Sequence, residues 1–123
     1  MDKVIYRELS YRVMEAMFEV HNTLGPGFIE RVYEEVLVHE LELRQICFER
    51  QKVITVKYKG KVVGTHQIDL LVDDKIVLEL KAVSQLTDVF KQQLLSYLLA
   101  TDVKLGILIN FGTRRVKYTR IAN

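Results

Sequence analysis

The sequence predicts one α/β domain over residues 1–123, in which helices flank a mixed β-sheet. Two segments with apolar residues every three or four positions come first and are separated by Gly25-Pro26-Gly27. Alternating, β-branched segments follow, and a further helical segment leads to a nearly continuous apolar strand. The predicted order is α-α-β-β-β-α-β-β, and 123 residues are enough for one hydrophobic core.

The first two elements are predicted to be helices that pack together. Apolar residues recur at helical spacing over residues 7–24 and again over residues 28–43. Between them, Pro26 disfavours helix for the residue before it, while the flanking glycines permit unusual dihedral angles. We therefore expect a tight turn between the two helices.

The middle of the chain predicts a three-stranded antiparallel meander. Residues 53–58 have the composition of a strand, and Lys59-Gly60 is typical of a two-residue hairpin turn because glycine tolerates positive φ. Residues 62–72 form the returning strand. Asp73-Asp74 then marks a second turn, and residues 75–81 form a short, mostly apolar third strand.

A third helix and two further strands complete the predicted fold. Helical spacing extends over residues 86–101, with Ser84 or Thr87 as the candidate cap. The apolar run at 104–110 follows a crossover helix, so it is expected to lie parallel to the third strand, buried on both faces. Residues 114–121 alternate and carry basic side chains that suit an exposed edge.

Composition and charge restrict the class of protein. Lys and Arg number 18 against 16 Asp and Glu, so the formal charge is only +2 and any contact with nucleic acid needs a local patch. A lone cysteine, Cys47, and an N-terminus without a secretory pattern predict a cytoplasmic location. The apolar runs are too short to cross a bilayer, so no membrane contact is expected.

Three charged side chains interrupt strands that otherwise look buried. Glu79 and Lys81 are two apart and share a face of the third strand, and Asp69 lies within the second. Glu79 and Lys81 could neutralise each other as a structural pair, but Asp69 makes that explanation less adequate. Two carboxylates on adjacent strands are typical ligands of Mg²⁺ or Mn²⁺, and a lysine beside them would act on water or phosphate.

Strand register decides whether the two carboxylates meet. With a regular two-residue turn at Asp73-Asp74, Asp69 and Glu79 would lie on opposite faces of the sheet. A three-residue loop at 73–75, or one β-bulge, would place Asp69 opposite Glu79 with Lys81 on the same face. We therefore predict an odd-length loop or a bulge between the two carboxylates.

These motifs resemble those of a known superfamily. Asp69, Glu79-Leu80-Lys81 and Gln93-x-x-x-Tyr97 resemble the metal-binding core of the PD-(D/E)xK nucleases, in the branch with a Gln-x-x-x-Tyr helix. Gly27-Phe-Ile-Glu30-Arg-Val-Tyr33 resembles the signature of the GxxExxY family, which is placed in that superfamily. The resemblance spans nearly the whole chain and implies a restriction-endonuclease-like core. Ile68 stands where the superfamily's name has proline.

The resemblance implies a metal centre built from the strand residues. Asp69 and Glu79 would ligate Mg²⁺ or Mn²⁺, with the backbone carbonyl of Leu80 as a further ligand. Lys81 would assist the attacking water. The implied function is a divalent-metal-dependent nuclease that hydrolyses phosphodiester bonds in DNA or RNA.

The resemblance also implies roles for four helical residues. Glu30 would bind the metal through water or hold a second ion, Gln93 would orient water or phosphate, and Tyr33 and Tyr97 would contact substrate. The residues alone allow other roles, because Glu30 suits the first turn of any helix and the tyrosines could be ordinary half-buried aromatics.

Two alternatives to a nuclease remain open. The chain could keep the fold as a catalytically silent binding or scaffolding module in a larger assembly. It could also be an unrelated domain whose Asp69, Glu79 and Lys81 form a structural ion network. If it is a nuclease, nucleic acid is the expected partner, and a homodimer would help so small a domain to surround a duplex.

The remaining polar residues indicate no second site. His21, His39 and His66 lack metal-ligand spacing, and in a regular strand His66 would lie on the face opposite Asp69. The last strand carries four basic residues: Arg114, Arg115, Lys117 and Arg120. They could contact phosphate, but basic residues on an edge strand also prevent unwanted sheet pairing, and we favour this second role.

Overall fold

The computed structural model describes residues 5–123. Two helices come first and are followed by three strands, a third helix and two further strands, so the predicted order of elements is confirmed. The helices are α1 (Arg7–Leu24), α2 (Glu30–Leu43) and α3 (Asp88–Thr101). The strands are β1 (Phe48–Tyr58), β2 (Lys61–Val72), β3 (Ile76–Lys81), β4 (Leu105–Asn110) and β5 (Lys117–Ala122).

The five strands form one mixed sheet in the order β1-β2-β3-β4-β5. Strands β3 and β4 are parallel, and the other neighbouring pairs are antiparallel. Helix α3 connects the parallel pair, as the predicted crossover requires. Every residue of β4 is buried, which is typical of a strand covered on both faces.

Helices cover both faces of the sheet. Helices α1 and α2 pack on one face, with Met17 and Leu37 in their core, and α3 packs on the other through Leu94. A Cβ at Gly106 would lie 2.9 Å from Leu94 Cδ1, so α3 approaches β4 closely because this residue is glycine. Among residues 5–123, none of the helices combines the length and apolarity that crossing a membrane would require.

The element ends differ from the prediction by a few residues. Helix α2 begins at Glu30 because Ile29 is extended, with φ −76° and ψ 161°. Helix α3 begins after Thr87, which occupies the N-cap position without a side-chain hydrogen bond. Lys59 and Gly60 have φ values of 49° and 82°, as the predicted two-residue hairpin turn requires.

The connection between β2 and β3 sets the register of the two carboxylates. Val72 pairs with Ile76, which leaves residues 73–75 as a three-residue loop. The predicted odd-length loop is therefore confirmed. Continuing this register brings Asp69 opposite Glu79.

Candidate metal centre

The candidate site lies where β2 separates from β3. Strand pairing ends at Leu70 and Leu78, so β2 offers no backbone acceptor to the N–H of Leu80. That N–H instead donates to Asp69 Oδ2 over 2.7 Å. The Asp69 carboxylate thus takes the place of a strand carbonyl and is directed towards β3 in the plane of the sheet.

A distortion at Gln51 on β1 accompanies this separation. Gln51 faces Asp69 between two regular pairs of the β1–β2 ladder and has a φ of 48°, which is uncommon for a residue other than glycine. Ile68 packs on the α3 side, whereas Leu70 packs under α1 and α2. A regular strand would place these two residues on one face, so side-chain alternation in β2 is interrupted at Asp69.

Helix α2 holds Gln51 in this conformation. Gln51 Nε2 donates to Glu34 Oε1 over 2.8 Å, and Arg50 Nη2 lies 2.9 Å from Glu34 Oε2. Arg50 also forms an ion pair with Glu35. Hydrogen bonds to Glu35 and Glu34 raise the pKa of Arg50, and Arg50 lowers the pKa of Glu35. The first turns of α2 are thereby tied to β1 next to Asp69.

Glu79 is a buried carboxylate beside Asp69. Leu78 and Leu80 enter the core under α1 and α2, so Glu79 faces the α3 side of the sheet. It is only 6% exposed, and its Oε1 has no hydrogen-bond partner in the described part of the chain. Burial raises the pKa of Glu79 to about 8, the charge and hydrogen bonding of Asp69 add to the rise, and the Lys81 ammonium opposes it.

The backbone places a further oxygen beside the two carboxylates. A strand residue directs its N–H and C=O to the same side, so the Leu80 carbonyl also faces the gap that β2 leaves. Over residues 5–123, no three His, Cys, Asp or Glu side chains gather into a complete metal cluster. Two carboxylates and one carbonyl are nevertheless hard oxygen donors that suit Mg²⁺ or Mn²⁺, with water or substrate as further ligands. The unpartnered oxygen of Glu79 fits such an ion, because a cation would satisfy it.

Lys81 lies near the carboxylates but does not pair with them directly. Its Nζ lies 4.8 Å from the centroid of the Phe90 ring on α3, within the range of a cation–π interaction. Among the salt bridges of the described residues, none involves Lys81. The ammonium is therefore held near the site by an aromatic face and keeps its donors free for another anion.

Glu30 enters the site from α2. It lines a cleft of about 350 Å³ together with Arg31, Asp69 and Leu80. The structure therefore places Glu30 in one cleft with Asp69 and Leu80. A larger cavity of about 400 Å³ lies between α1 and β5, but its lining side chains include no carboxylate.

Tyr97 approaches the site from α3. Its ring stacks on His66, with centroids 3.9 Å apart and planes at 15°. Burial, followed by the charges of Glu79 and Asp69, raises the pKa of Tyr97. Gln93 is exposed one turn earlier on the same helical face. His66 therefore lies on the α3 side with Glu79. Its predicted position opposite Asp69 assumed a regular strand, whereas β2 is interrupted at Asp69.

Tyr33 lies in the core and not in the cleft. It is fully buried, and its ring stacks on Phe111 with centroids 4.6 Å apart. Its hydroxyl donates to the carbonyl of Gly25 and accepts the N–H of Phe28 over 3.2 Å. These bonds hold the turn before α2. In contrast to the predicted substrate contact, this position leaves Tyr33 no exposed surface.

Several neighbours of the site were not predicted from the sequence. A positive φ at glutamine has no sequence signature, so Gln51 reads as an ordinary strand residue. Glu34 follows Glu30 by four positions and so shares its helical face, which is the one signal that could have placed it near the site. The stacking of His66 on Tyr97 depends on the interrupted strand and could not be found from alternation.

Comparisons with known proteins found one matching family model and several similar solved structures. A family model described as the PD-(D/E)XK nuclease superfamily matches residues 7–121. The crystal structure of SSO0001 has a TM-score of 0.61 and 21% identity, over 96% of this chain and 57% of SSO0001. An alkaline exonuclease (LHK-Exo) from Laribacter hongkongensis has a TM-score of 0.57 and 13% identity, over 100% of this chain and 72% of the exonuclease. No curated protein matches the sequence significantly.

The structural likenesses bear on the fold. At 21% and 13% identity, they support the same arrangement of elements without carrying residue roles. Together with the family match, they confirm the predicted restriction-endonuclease-like core. The chain spans little more than half the length of SSO0001.

Proposed function

We propose that this chain, which belongs to the PD-(D/E)XK nuclease superfamily, is a divalent-metal-dependent phosphodiesterase that hydrolyses DNA or RNA. The observation that carries the proposal is the pair of adjacent carboxylates at the point where two strands separate. One of them, Glu79, is buried with an oxygen that has no donor, and the other, Asp69, is held by a backbone N–H. An uncompensated buried carboxylate is costly in the folded protein, and a bound cation would remove that cost.

The metal ligands in this proposal are Asp69, Glu79 and the Leu80 carbonyl. When bound, Mg²⁺ or Mn²⁺ supplies Lewis-acid polarisation of phosphate and increases the acidity of water. Asp69 is oriented by the N–H of Leu80, which leaves its other oxygen for the ion. Glu79 would hold the ion as a charged carboxylate, because a cation favours the charged form.

Lys81 acts on the phosphate or the attacking water. Its ammonium has three donors and no protein carboxylate within salt-bridge distance in residues 5–123. The ring of Phe90 holds it on the α3 side of the sheet, where Glu79 also lies. It is therefore placed to stabilise negative charge that develops on a phosphate oxygen.

Three helical residues complete the proposed site. Glu30, on the α2 wall of the cleft, binds the metal through water or holds a second ion. Gln93 orients water or phosphate, and Tyr97 contacts the substrate from α3. Within the superfamily, Gly27-Phe-Ile-Glu30-Arg-Val-Tyr33 supports assignment to the GxxExxY family. In that motif we give Tyr33 the structural role of holding the turn before α2.

The proposal extends to partners and location. Residues 1–123 act as one domain in the cytoplasm, with nucleic acid as substrate and no membrane contact. A homodimer would provide a second surface for a duplex, since one chain of 14.4 kDa is too small to surround a double helix.

The first experiment measures thermal stability with and without millimolar Mn²⁺ or Mg²⁺. A ligand that binds only the folded state raises its free energy of unfolding, by about 2.7 kcal/mol at one hundred times its Kd. The melting temperature of the wild type should therefore rise, and Asp69→Asn should abolish the rise. Asp88→Asn, at an exposed position in the first turn of α3, is the matched control and should keep it.

A cleavage assay then tests turnover. Labelled DNA and RNA oligonucleotides are incubated with Mg²⁺ or Mn²⁺ and either wild type or Asp69→Asn. Wild type should cleave at least one of them, and Asp69→Asn should cleave neither. A melting temperature that is indifferent to both metals would exclude the metal site. A metal-dependent rise without cleavage would replace the nuclease by the catalytically silent module.

A further inference from the structure

The β1–β2 hairpin extends beyond the rest of the sheet. Strand β2 pairs with β1 along its length, from Lys61 to Val72, but with β3 only over its last three residues. Residues 55–65, which we call the projecting ribbon, are exposed at every position. The ribbon is therefore a two-stranded structure without a layer of side chains on either face.

Such a ribbon is not explained by packing. An isolated two-stranded hairpin is marginally stable in water, and burial of apolar side chains normally supplies the missing stability. Here Val56, Val62 and Val63 are 40%, 51% and 57% exposed. The ribbon thus adds little to the core, which indicates that its shape serves contact with another molecule.

Three lysines lie at the tip of the projecting ribbon: Lys57, Lys59 and Lys61. No acidic residue occurs between Glu49 and Asp69, so the ribbon itself contains no counter-charge. Three other lysines of the chain have carboxylate partners close in sequence, in the pairs Lys52–Glu49, Lys75–Asp73 and Lys91–Asp88. The tip is therefore a local positive patch on a chain whose formal net charge is only +2.

The ribbon and the candidate site share one strand. Lys61 and Asp69 both belong to β2 and are eight positions apart, which corresponds to about 26 Å at about 3.3 Å per residue. One strand of a nucleic acid spans that distance in about seven or eight phosphates, at about 3.4 Å each. A bound strand that passes through the site is thus long enough to reach the tip within one turn of a duplex.

We propose that the lysine tip of the projecting ribbon binds the phosphate backbone of the nucleic acid that occupies the candidate site, about seven nucleotides from the scissile bond. This inference rests on the proposed nuclease function. Charge complementarity carries it, because three lysines without a neighbouring acid match a polyanion. The tip would supply affinity and register but no base recognition, since phosphate contacts carry no sequence information.

The experiment compares two variants that carry the same change in charge. The ribbon variant is Lys57→Gln/Lys59→Gln/Lys61→Gln, and the control is Arg114→Gln/Arg115→Gln/Lys117→Gln, near the opposite edge of the sheet. Fluorescence anisotropy measures binding of labelled 24-nucleotide DNA and RNA, single-stranded and duplex, between 50 and 300 mM NaCl with EDTA. EDTA prevents cleavage during the titration.

The ribbon variant should lose salt dependence as well as affinity. Each lost phosphate contact lowers the slope of log K against log[salt] by about 0.9 for duplex and about 0.7 for single strands. Three contacts predict a slope lower by about 2–3 and a loss of at least about tenfold at 100 mM NaCl. The control variant should keep the wild-type slope. An oligonucleotide of four residues, too short to reach from the site to the tip, should bind both variants equally.

Three results would overturn the inference. Equal losses in the ribbon and control variants would mean that binding follows net charge. A ribbon variant that binds like the wild type but self-associates in sedimentation would mean that the lysines only protect a strand edge. A wild type that does not bind any of the oligonucleotides at 50 mM NaCl would exclude the ribbon as a nucleic-acid contact.

A small substrate separates this inference from the proposed function. Hydrolysis of bis(p-nitrophenyl) phosphate with Mn²⁺ requires the metal site. The diester itself is too small to touch the ribbon. If the protein hydrolyses neither this diester nor oligonucleotides but binding still depends on the ribbon, the proposed nuclease function is refuted and the ribbon contact is retained. Hydrolysis by the wild type, together with binding that does not depend on the ribbon, would refute the ribbon contact alone.

Discussion

Replacing Glu79 by glutamine should change how stability depends on pH. The pKa of Glu79 is about 8 in the folded protein, against an ordinary value of 4.5. Between these values the folded chain holds a proton that the unfolded chain has released, so the free energy of unfolding falls as pH rises. The stabilisation is fully present below pH 4.5 and is lost as pH rises through 8.

The size of the effect follows from the width of that window. Each pH unit within it changes the free energy of unfolding by about 1.4 kcal/mol. Between pH 5.5 and 7.5 the wild type should therefore lose about 2–3 kcal/mol relative to Glu79→Gln, which is roughly 10 °C in melting temperature for a chain of this size. Glutamine preserves the shape and neutrality of the protonated carboxyl group, so the variant should not share this loss.

The assay is thermal unfolding in EDTA from pH 5 to pH 9. Glu42→Gln, at an exposed position on α2, controls for the loss of one carboxylate. Excess Mn²⁺ at pH 8 should restore the stability of the wild type but not raise that of Glu79→Gln, because the cation replaces the proton on a carboxylate that the variant lacks. Parallel pH curves for wild type and Glu79→Gln in EDTA would refute the reasoning, since Glu79 would then titrate as an ordinary exposed carboxyl group.

Three further substitutions test other contacts. Lys81→Ala should keep the metal-dependent rise in melting temperature but lose hydrolysis, because an ammonium is not a metal ligand; an active variant would remove Lys81 from the mechanism. Tyr33→Phe should lower the free energy of unfolding by about 1–2 kcal/mol through its lost hydrogen bonds, and cleavage by the folded protein should be unchanged if Tyr33 is structural. Gly112→Ala should destabilise by about 3 kcal/mol in urea unfolding, because its Cβ would lie 2.5 Å from Val83 N. Gly27→Ala, with open space around the added Cβ, is the control and should cost far less.

Most of the fold could be predicted because local patterns determine it. Helical spacing located α1 at the residues it occupies, and the crossover rule fixed the parallel pairing of β3 with β4. The ends of α2 and α3 were less predictable, because extended conformation at Ile29 and Thr87 depends on how the chain enters each helix. Whether the two carboxylates meet depends on whether the loop between β2 and β3 has two or three residues. The turn residues alone do not determine that length.

The rest of the site depends on contacts between residues far apart in the sequence. Gln51 adopts its left-handed conformation with Glu34 of α2 as hydrogen-bond partner, 17 positions away. The alternation of residues within one strand cannot predict this contact with a helix. The buried position of Tyr33 was unpredictable for a similar reason, because Phe111, against which it stacks, comes near the end of the chain.

The distortion at Gln51 connects the candidate site to the projecting ribbon. If β2 alternated regularly through Asp69, the Asp69 side chain would stand perpendicular to the sheet. The N–H of Leu80 would then lack the acceptor that it now has. The interrupted strand instead turns Asp69 into the plane of the sheet and opens the gap that the Leu80 carbonyl faces. Beyond this point β2 no longer pairs with β3 and continues only with β1. The separation that brings the proposed metal ligands together therefore also leaves residues 55–65 projecting, with their lysines on the strand that carries Asp69.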